Sequence, residues 1–401
     1  MSISTKSAAS RRAALDQKIA ADRHVPLLDL QRQFAQVRQE VMTAVERVCS
    51  SQQFILGEEV AHFERDVSSF TGAGFSAGCA SGTDAVWLAL AACGIQPGDV
   101  VMTTPFSFFA SASAIVRAGA RPVFVDIDPH SFNLDPELVA ARLQDLPSVK
   151  AIIPVHLYGQ CADMDAFRRI GAQFNVSVIE DAAQAFGAGW RGQRAGAQGR
   201  AAAFSFYPTK NLSAFGDAGC ITTSDAAVAE RARSLRNHGS TQRYHHQEIG
   251  WNSRLDAIQA AILRVKMSRV EQWNEQRRQR AATYDQLFRK AGLAGARGDH
   301  SAPIFLPSTR PEAHHIFHQY VIRAQRRDVL REFLTKRGIG TEIYYPLALH
   351  LQPCFSYLGY RDGDFPQAEK ASQEVLALPM FPELTAEEQQ YVVETIAQYY
   401  S

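Results

Sequence analysis

The feature that most constrains this chain is the regular alternation of short apolar runs with helix-forming stretches between residues 75 and 180. Residues 75–80, 100–103, 122–125, 151–155 and 176–180 read as strands. Residues 84–93, 109–118 and 137–143 read as helices, the last opened by Asp135 as N-cap with Pro136 at the first helical position. Runs such as 151–155 and 176–180 are short and apolar, as strands buried on both faces must be. This rhythm predicts an α/β domain with a largely parallel sheet. Such sheets place ligands beyond the carboxyl ends of their strands.

The 401 residues are enough for more than one core. A helical pattern at 31–49 precedes the rhythm and follows the segment that opens at Val25. Beyond Gly250 the character changes. Residues 255–265 and 270–290 read as helices, the second charged with apolar positions along one side. Residues 292–300 are Gly- and Ala-rich and read as a loop. Strand signals at 319–322 and 341–344 then mix with helices at 328–336 and 386–399. Thr385, three residues before Glu388, has capping-box spacing. The expected organisation is a flexible arm at 1–24, a large α/β domain at 25–270 and a smaller C-terminal α+β domain at 271–401.

Composition narrows the function classes. A net charge of +1 gives no overall field toward nucleic acid or a membrane surface. No apolar run approaches the ~18 residues of a membrane span, and residues 1–22 lack the apolar stretch of a secretory signal. The six cysteines are scattered, with no CxxC pair and no zinc spacing. That pattern predicts buried thiols in a reducing cytoplasm and no metal site.

Four segments carry chemistry. In Cys79-Ala-Ser-Gly-Thr-Asp-Ala-Val a small polar turn leads from a strand into a helix. Free N–H groups there make an anion site, and Gly82 lets a phosphate approach the backbone, although Ser-Gly-Thr is also a routine N-cap. In Val176-Ser-Val-Ile-Glu-Asp-Ala-Ala-Gln a strand ends in two carboxylates, able to pair with a buried cation or simply to cap a helix. In Phe204-Ser-Phe-Tyr-Pro-Thr-Lys-Asn-Leu, Lys210 sits among aromatic, proline and small residues. A lysine that forms a Schiff base needs such partial desolvation. In Gly250-Trp-Asn-Ser-Arg-Leu-Asp a turn presents an amide and a guanidinium ahead of a helix.

The segments SGTDA, PVHLYGQ, VIEDAAQAFGA, FSFYPTKNL with AFGDAG, and GWNSRLDAIQAA, in this order, resemble the sugar aminotransferases of the DegT/DnrJ/StrS family. The resemblance runs from about Val25 to the C-terminus. It implies the fold-type-I architecture of pyridoxal 5'-phosphate (PLP) enzymes: a large, mostly parallel-sheet α/β domain and a smaller C-terminal α+β domain. Carried over residue by residue, Lys210 matches the Schiff-base lysine. Asp181 matches the carboxylate that keeps the pyridine nitrogen protonated. Gln184 matches the amide near the ring hydroxyl, and Phe108, or Phe109 beside it, the stacking aromatic. Gly82, Thr83 and Ser205 match the phosphate cradle. Asn252 matches a phosphate ligand supplied by the neighbouring subunit, and Arg254 a group that holds the carboxylate of the donor or nearby substrate charge. Tyr158, Tyr244, His245 and His350 lie in segments that line the sugar pocket in relatives, but each reads equally well as a packed or exposed ring. Phe186 stands where many relatives carry histidine, which puts a sugar contact from that position in doubt.

The resemblance implies a homodimer with shared sites that moves an amino group from L-glutamate to a nucleotide-linked keto sugar. Tyr207-Pro-Thr-Lys-Asn-Leu with Gly216-Asp217 resembles members that aminate carbon 3 of a UDP- or dTDP-linked sugar. Amination at carbon 4 is the alternative. The family's dehydratase branch carries histidine in place of the lysine, so Lys210 argues against it. A non-catalytic ligand-binding regulator would not require Lys210, Asp181 and a phosphate cradle together.

Overall fold

The computed structural model describes residues 24–294 and 302–401. The arm expected at 1–24 and most of the loop at 292–300 lie outside the described residues.

A seven-stranded sheet organises the first two-thirds of the chain. Its strands are β1 (Phe75–Cys79), β2 (Val100–Thr103), β3 (Arg121–Phe124), β4 (Val149–Ile153), β5 (Ser177–Asp181), β6 (Ala201–Ser205) and β7 (Gly219–Thr223). Their spatial order is β1-β7-β6-β5-β4-β2-β3. Strands β2 to β6 pair in parallel, and only β7 runs antiparallel to its neighbours β6 and β1. The parallel sheet expected from the rhythm is therefore present.

Helices cover both faces: α1 (Leu30–Ser51), α2 (Gly57–Thr71), α3 (Gly82–Ala92), α4 (Ala110–Arg117), α5 (Pro136–Asp145), α6 (Met164–Phe174), α7 (Ala226–Leu235) and α8 (Ala257–Met267). Period-two alternation divides the strand residues between the faces. Met102, Ile152 and Val178 join the core formed with α1, α2, α5, α6 and α8. Val101, Ile153 and Ile179 join that of α3, α4 and α7. Helix α3 is buried from Ala85 to Ala92, so its composition is small and apolar all round.

The remaining chain adds α9 (Val270–Lys290), α10 (Arg327–Thr335), α11 (Pro366–Glu374) and α12 (Ala386–Tyr400). These accompany an antiparallel sheet of β8 (Ile304–Phe305), β9 (Tyr320–Ala324) and β10 (Val375–Leu378). The capping box of Thr385 and Glu388 is formed. The expected strand at 341–344 is not: only Glu342 bridges to Ala377. Its β-branched and aromatic residues suit a strand, yet past Glu342 the chain turns away and the Tyr344 carbonyl accepts the Tyr158 hydroxyl instead. Helix α2 went unforeseen because Leu56 at its N-cap gives no side-chain cap signal.

Among the contacts that tie the C-terminal layer to the rest, two involve backbone on the C-terminal side. Val25 exchanges backbone hydrogen bonds with Gly338 and Gly340. Buried Asp126, just after β3, accepts from the Gln367 and Ala368 N–H groups, both at 2.9 Å, and so caps α11. Among the described residues no helix is long and apolar enough to cross a membrane.

Candidate active site

The carboxyl ends of β1, β5 and β6 converge with the turn that follows β6. Ser81 caps α3 by accepting from the Asp84 N–H at 3.1 Å. This leaves the Gly82 and Thr83 N–H groups without an acceptor among the described residues. A Cβ on Gly82 would lie 2.4 Å from Ser205 Cβ, so the helix start and the end of β6 touch. The pair forms a pocket of neutral donors at a helix N-terminus, suited to a phosphate. No larger residue fits at position 82.

Asp181 ends β5 and is 4% exposed. One carboxylate oxygen accepts from the Ser111 hydroxyl at 2.7 Å and the other from the Ala183 N–H at 3.2 Å. Ser111 is braced in turn by Ser107 at 2.8 Å. Lys210 lies in the turn after β6, where its N–H donates to the Tyr207 carbonyl at 2.8 Å. Its side chain is half-buried. Dense surroundings push the ammonium down to about 8 from its usual value, opposed by the charge of Asp181. A buried anion thus faces an amine that loses its proton readily.

Gln184 joins them from the turn after β5. Its carbonyl oxygen accepts from the Tyr158 N–H at 2.7 Å, and its amide donates to the Tyr345 hydroxyl at 3.1 Å. Tyr158 is buried and bonded to Tyr344, so it walls the site. Phe108 is 56% exposed, its ring centroid 6.2 Å from that of Tyr345. Phe109 leans on Phe355 instead, which favours Phe108 as the stacking ring.

Other expected residues stand apart within one chain. Tyr244 and His245 lie on an exposed hairpin of 240–242 and 245–246, with Tyr244 80% exposed. Asn252 is exposed. Ser253 beside it donates to Asp84 at 2.6 Å, which sets this loop against the start of α3. Arg254 donates only to Asn237 at 3.3 Å, and its Nε has no partner. His350 is buried against Phe365, with Nε2 3.0 Å from Glu369. Phe186 faces the core, stacked on Phe70 with centroids 4.7 Å apart. At this position the phenylalanine is a packing residue.

The family model of the DegT/DnrJ/EryC1/StrS aminotransferases matches residues 35–397. This chain belongs to that family. The aminotransferase is 51% identical to a protein of Geobacillus stearothermophilus described as a pleiotropic regulatory protein, over 94% of this chain and 99% of that one. It is 41% identical to dTDP-3-amino-3,4,6-trideoxy-alpha-D-glucose transaminase of Streptomyces venezuelae, over 94% and 96%. The crystal structure of S. venezuelae DesV in complex with a ketimine intermediate superposes with a TM-score of 0.89 at 40% identity, covering 94% and 98%. This superposition, with the mostly parallel sheet, establishes the fold type expected for the aminotransferase.

Sequence reasoning missed the supports of this site. Ser107 and Ser111, four residues apart across the start of α4, carried no signal beyond that spacing. Glu180 reads as one of two strand-end carboxylates. It is fully buried and accepts from the His156 ring at 2.9 Å and from the N–H groups of Gly196, Gln198 and Gly199. These bonds hold its carboxyl below the usual range despite burial. His156 Nδ1 accepts from the Ala162 N–H, so its proton sits on Nε2 and points at Glu180. The pair locks the end of the strand that carries Asp181.

Proposed function

We propose that the enzyme binds pyridoxal 5'-phosphate at Lys210 and moves the amino group of L-glutamate to carbon 3 of a UDP- or dTDP-linked 3-keto sugar. The observation that carries this reading is the half-buried Lys210 amine facing buried Asp181, one turn from the Gly82–Ser205 cradle. Those residues fit the cofactor: the cradle would close on its phosphate, Asp181 on its ring nitrogen, Gln184 near its ring hydroxyl and Phe108 on its face. When bound, the cofactor supplies an electron-poor ring that accepts the electron pair left as a proton leaves the amine-bearing carbon. The protein does the rest. Asp181, oriented by Ser111, favours a protonated ring nitrogen. Lys210, with its pKa near 8, takes a proton at its Nζ and returns it. Tyr158 and Tyr345 shield the site from water.

Carbon 3 is supported by the Tyr207–Leu212 stretch and by the 3-amino product named for the Streptomyces relative. A regulator, as the Geobacillus relative is described, would have no use for a low-pKa lysine opposite a buried carboxylate. Borohydride reduction of the cofactor-loaded protein, followed by peptide mapping, tests the anchor. A pyridoxyl group on any lysine other than Lys210 would sink it. With glutamate and a UDP- or dTDP-linked 3-keto hexose, 2-oxoglutarate and a 3-amino sugar are expected. Clean amination at carbon 4 alone overturns the regiochemistry.

The active unit in this reading is a cytoplasmic homodimer with shared sites. Its support is the exposure of the apolar side chains Phe108, Tyr207, Phe215, Tyr244 and Ile249, together with an Arg254 that pairs with no carboxylate among the described residues. A partner's Arg254 would supply the cation the neutral cradle lacks. Subunits carrying Lys210→Ala or Arg254→Ala, each inactive alone, should regain activity on exchange. No regain despite proven exchange rules the shared site out.

A further inference from the structure

Lys210 has a neighbour that the chemistry above does not use. His318, just before β9, is 7% exposed, and its Nδ1 lies 2.9 Å from the side-chain oxygen of Asn211, the residue after the lysine. The Asn211 amide donates to the Asn274 side-chain oxygen at 2.6 Å. The Asn274 amide donates to the Phe186 main-chain carbonyl at 3.1 Å. A main-chain carbonyl can only accept, so it fixes which end of Asn274 donates and therefore which end of Asn211 does. Asn211 must then present its oxygen to His318. The histidine carries its proton on Nδ1, and in the neutral ring Nε2 is a bare acceptor.

Several contacts hold this ring in place and uncharged. Arg277, on α9, donates to the His318 carbonyl at 3.2 Å and to the Met380 carbonyl at 3.0 Å, which pins the backbone on both sides. Burial, reinforced by the nearby charges of Lys210 and Arg277, drives the imidazole well below its ordinary pKa. His318 Nε2 makes no hydrogen bond among the described residues, and the ring lines a cavity of about 90 Å³ shared with Thr209 and Arg277. The charged groups around the pair are Asp181 against Lys210 and Arg277 against His318, with Glu383 behind Arg277.

We propose that His318 is a positioning residue for Lys210: an imidazole of fixed tautomer whose bare Nε2 receives the lysine amine when it is not covalently engaged. A lysine that must alternate between ammonium and free amine is held more easily by a neutral partner than by a second cation, which would disfavour the ammonium. It also needs an acceptor to hold its N–H groups in line. A neutral ring with its proton tied to Asn211 meets both conditions, and it joins the C-terminal layer to the residue that follows the lysine.

The inference rests on Lys210 being the reactive amine. A pyridoxyl label on another lysine would remove that foundation, whereas the measurements below fail only His318. The first needs no variant. In selectively histidine-labelled protein, the His318 resonances should report the Nδ1–H tautomer and stay unchanged from about pH 6 to about pH 9, across the ordinary histidine pKa. A proton on Nε2, or a titration in that interval, overturns the proposal.

The second compares two substitutions. Glutamine at 318 also offers a donor toward Asn211 and an acceptor on the other side, and it cannot be charged; leucine offers neither. Reductive methylation of the cofactor-free protein, mapped at Lys210 across pH, reads the amine's pKa directly. His318→Gln should keep that midpoint within about 0.5 unit and kcat within about threefold. His318→Leu should lower it by about one unit or more, because an acceptor for the ammonium is lost, and cut kcat by at least about tenfold with KM for glutamate little changed. Wild-type behaviour of a folded Leu variant, or equal damage from Gln and Leu, overturns it. Should His318→Leu not fold, the Gln variant and the tautomer measurement still decide.

Discussion

Around Asp181 both carboxylate oxygens are bonded and the supporting serines are buried. Along residues 238–254 the reverse holds: Tyr244 and Ile249 are 80% and 92% exposed, Asn252 is exposed and the Arg254 Nε has no partner. Both regions hold residues expected to serve one reaction, yet only the first is buried and hydrogen-bonded within the described chain. Groups that act on electrons and protons have to be held rigidly before the substrate arrives. Groups that greet a substrate, or a second subunit, can wait for it. In the function proposed above, the contrast separates buried groups that handle electrons and protons from an exposed segment that meets the sugar or a second subunit.

Substitutions on the two sides should therefore fail in different ways. Lys210→Ala removes the reactive amine, and turnover should fall on the order of 10⁴-fold or more, with the melting temperature nearly unchanged. Residual turnover above about one per cent of wild type would place the reactive amine elsewhere. Asp181→Asn keeps the shape and the Ser111 contact but removes the charge. Single-turnover rates should fall by about 10²–10⁴-fold, against a small change in cofactor affinity. Near wild-type kcat would break the rigid side of the comparison.

Gly82→Ala drives a methyl into Ser205 and should weaken the cofactor's Kd by about tenfold or more, roughly 1.4 kcal/mol. Equilibrium dialysis measures it, and unchanged binding would show the phosphate lies elsewhere. Tyr244→Ala should have the smallest effect, with stability within about 0.5 kcal/mol of wild type. The change should appear as a rise in KM for the nucleotide sugar rather than in kcat. If Tyr244→Ala instead unfolds the protein, the open side is a structural element and the contrast collapses.

What was legible in the sequence follows the same division. Gly82, Asp181, Ser205 and Lys210 lie at strand ends or turns, where local chemistry advertises itself, and the structure gathers them. The buried strands and the capped helices at Asp135 and Thr385 were legible for the same reason. His318, Asn211 and Ser111 were not, because their roles come from neighbours 70 to 107 positions away. Position 186 was legible too, as a phenylalanine that put a sugar contact in doubt. Four aromatic rings, Phe70, Phe186, Phe204 and Phe206, settle that position into the core.

The Asp126 cap has a consequence for anyone wishing to redesign this enzyme. Helix α11 opens at Phe365 and Pro366, which offer no side-chain cap, and takes its N-terminal cap from a carboxylate 241 positions earlier. Chimaeras that trade C-terminal halves between relatives to exchange substrate preference would inherit a frayed helix unless Asp126 travelled with the graft. The seam for recombination therefore lies in three dimensions, and a crossover point chosen from the linear order of the two halves would cut through it.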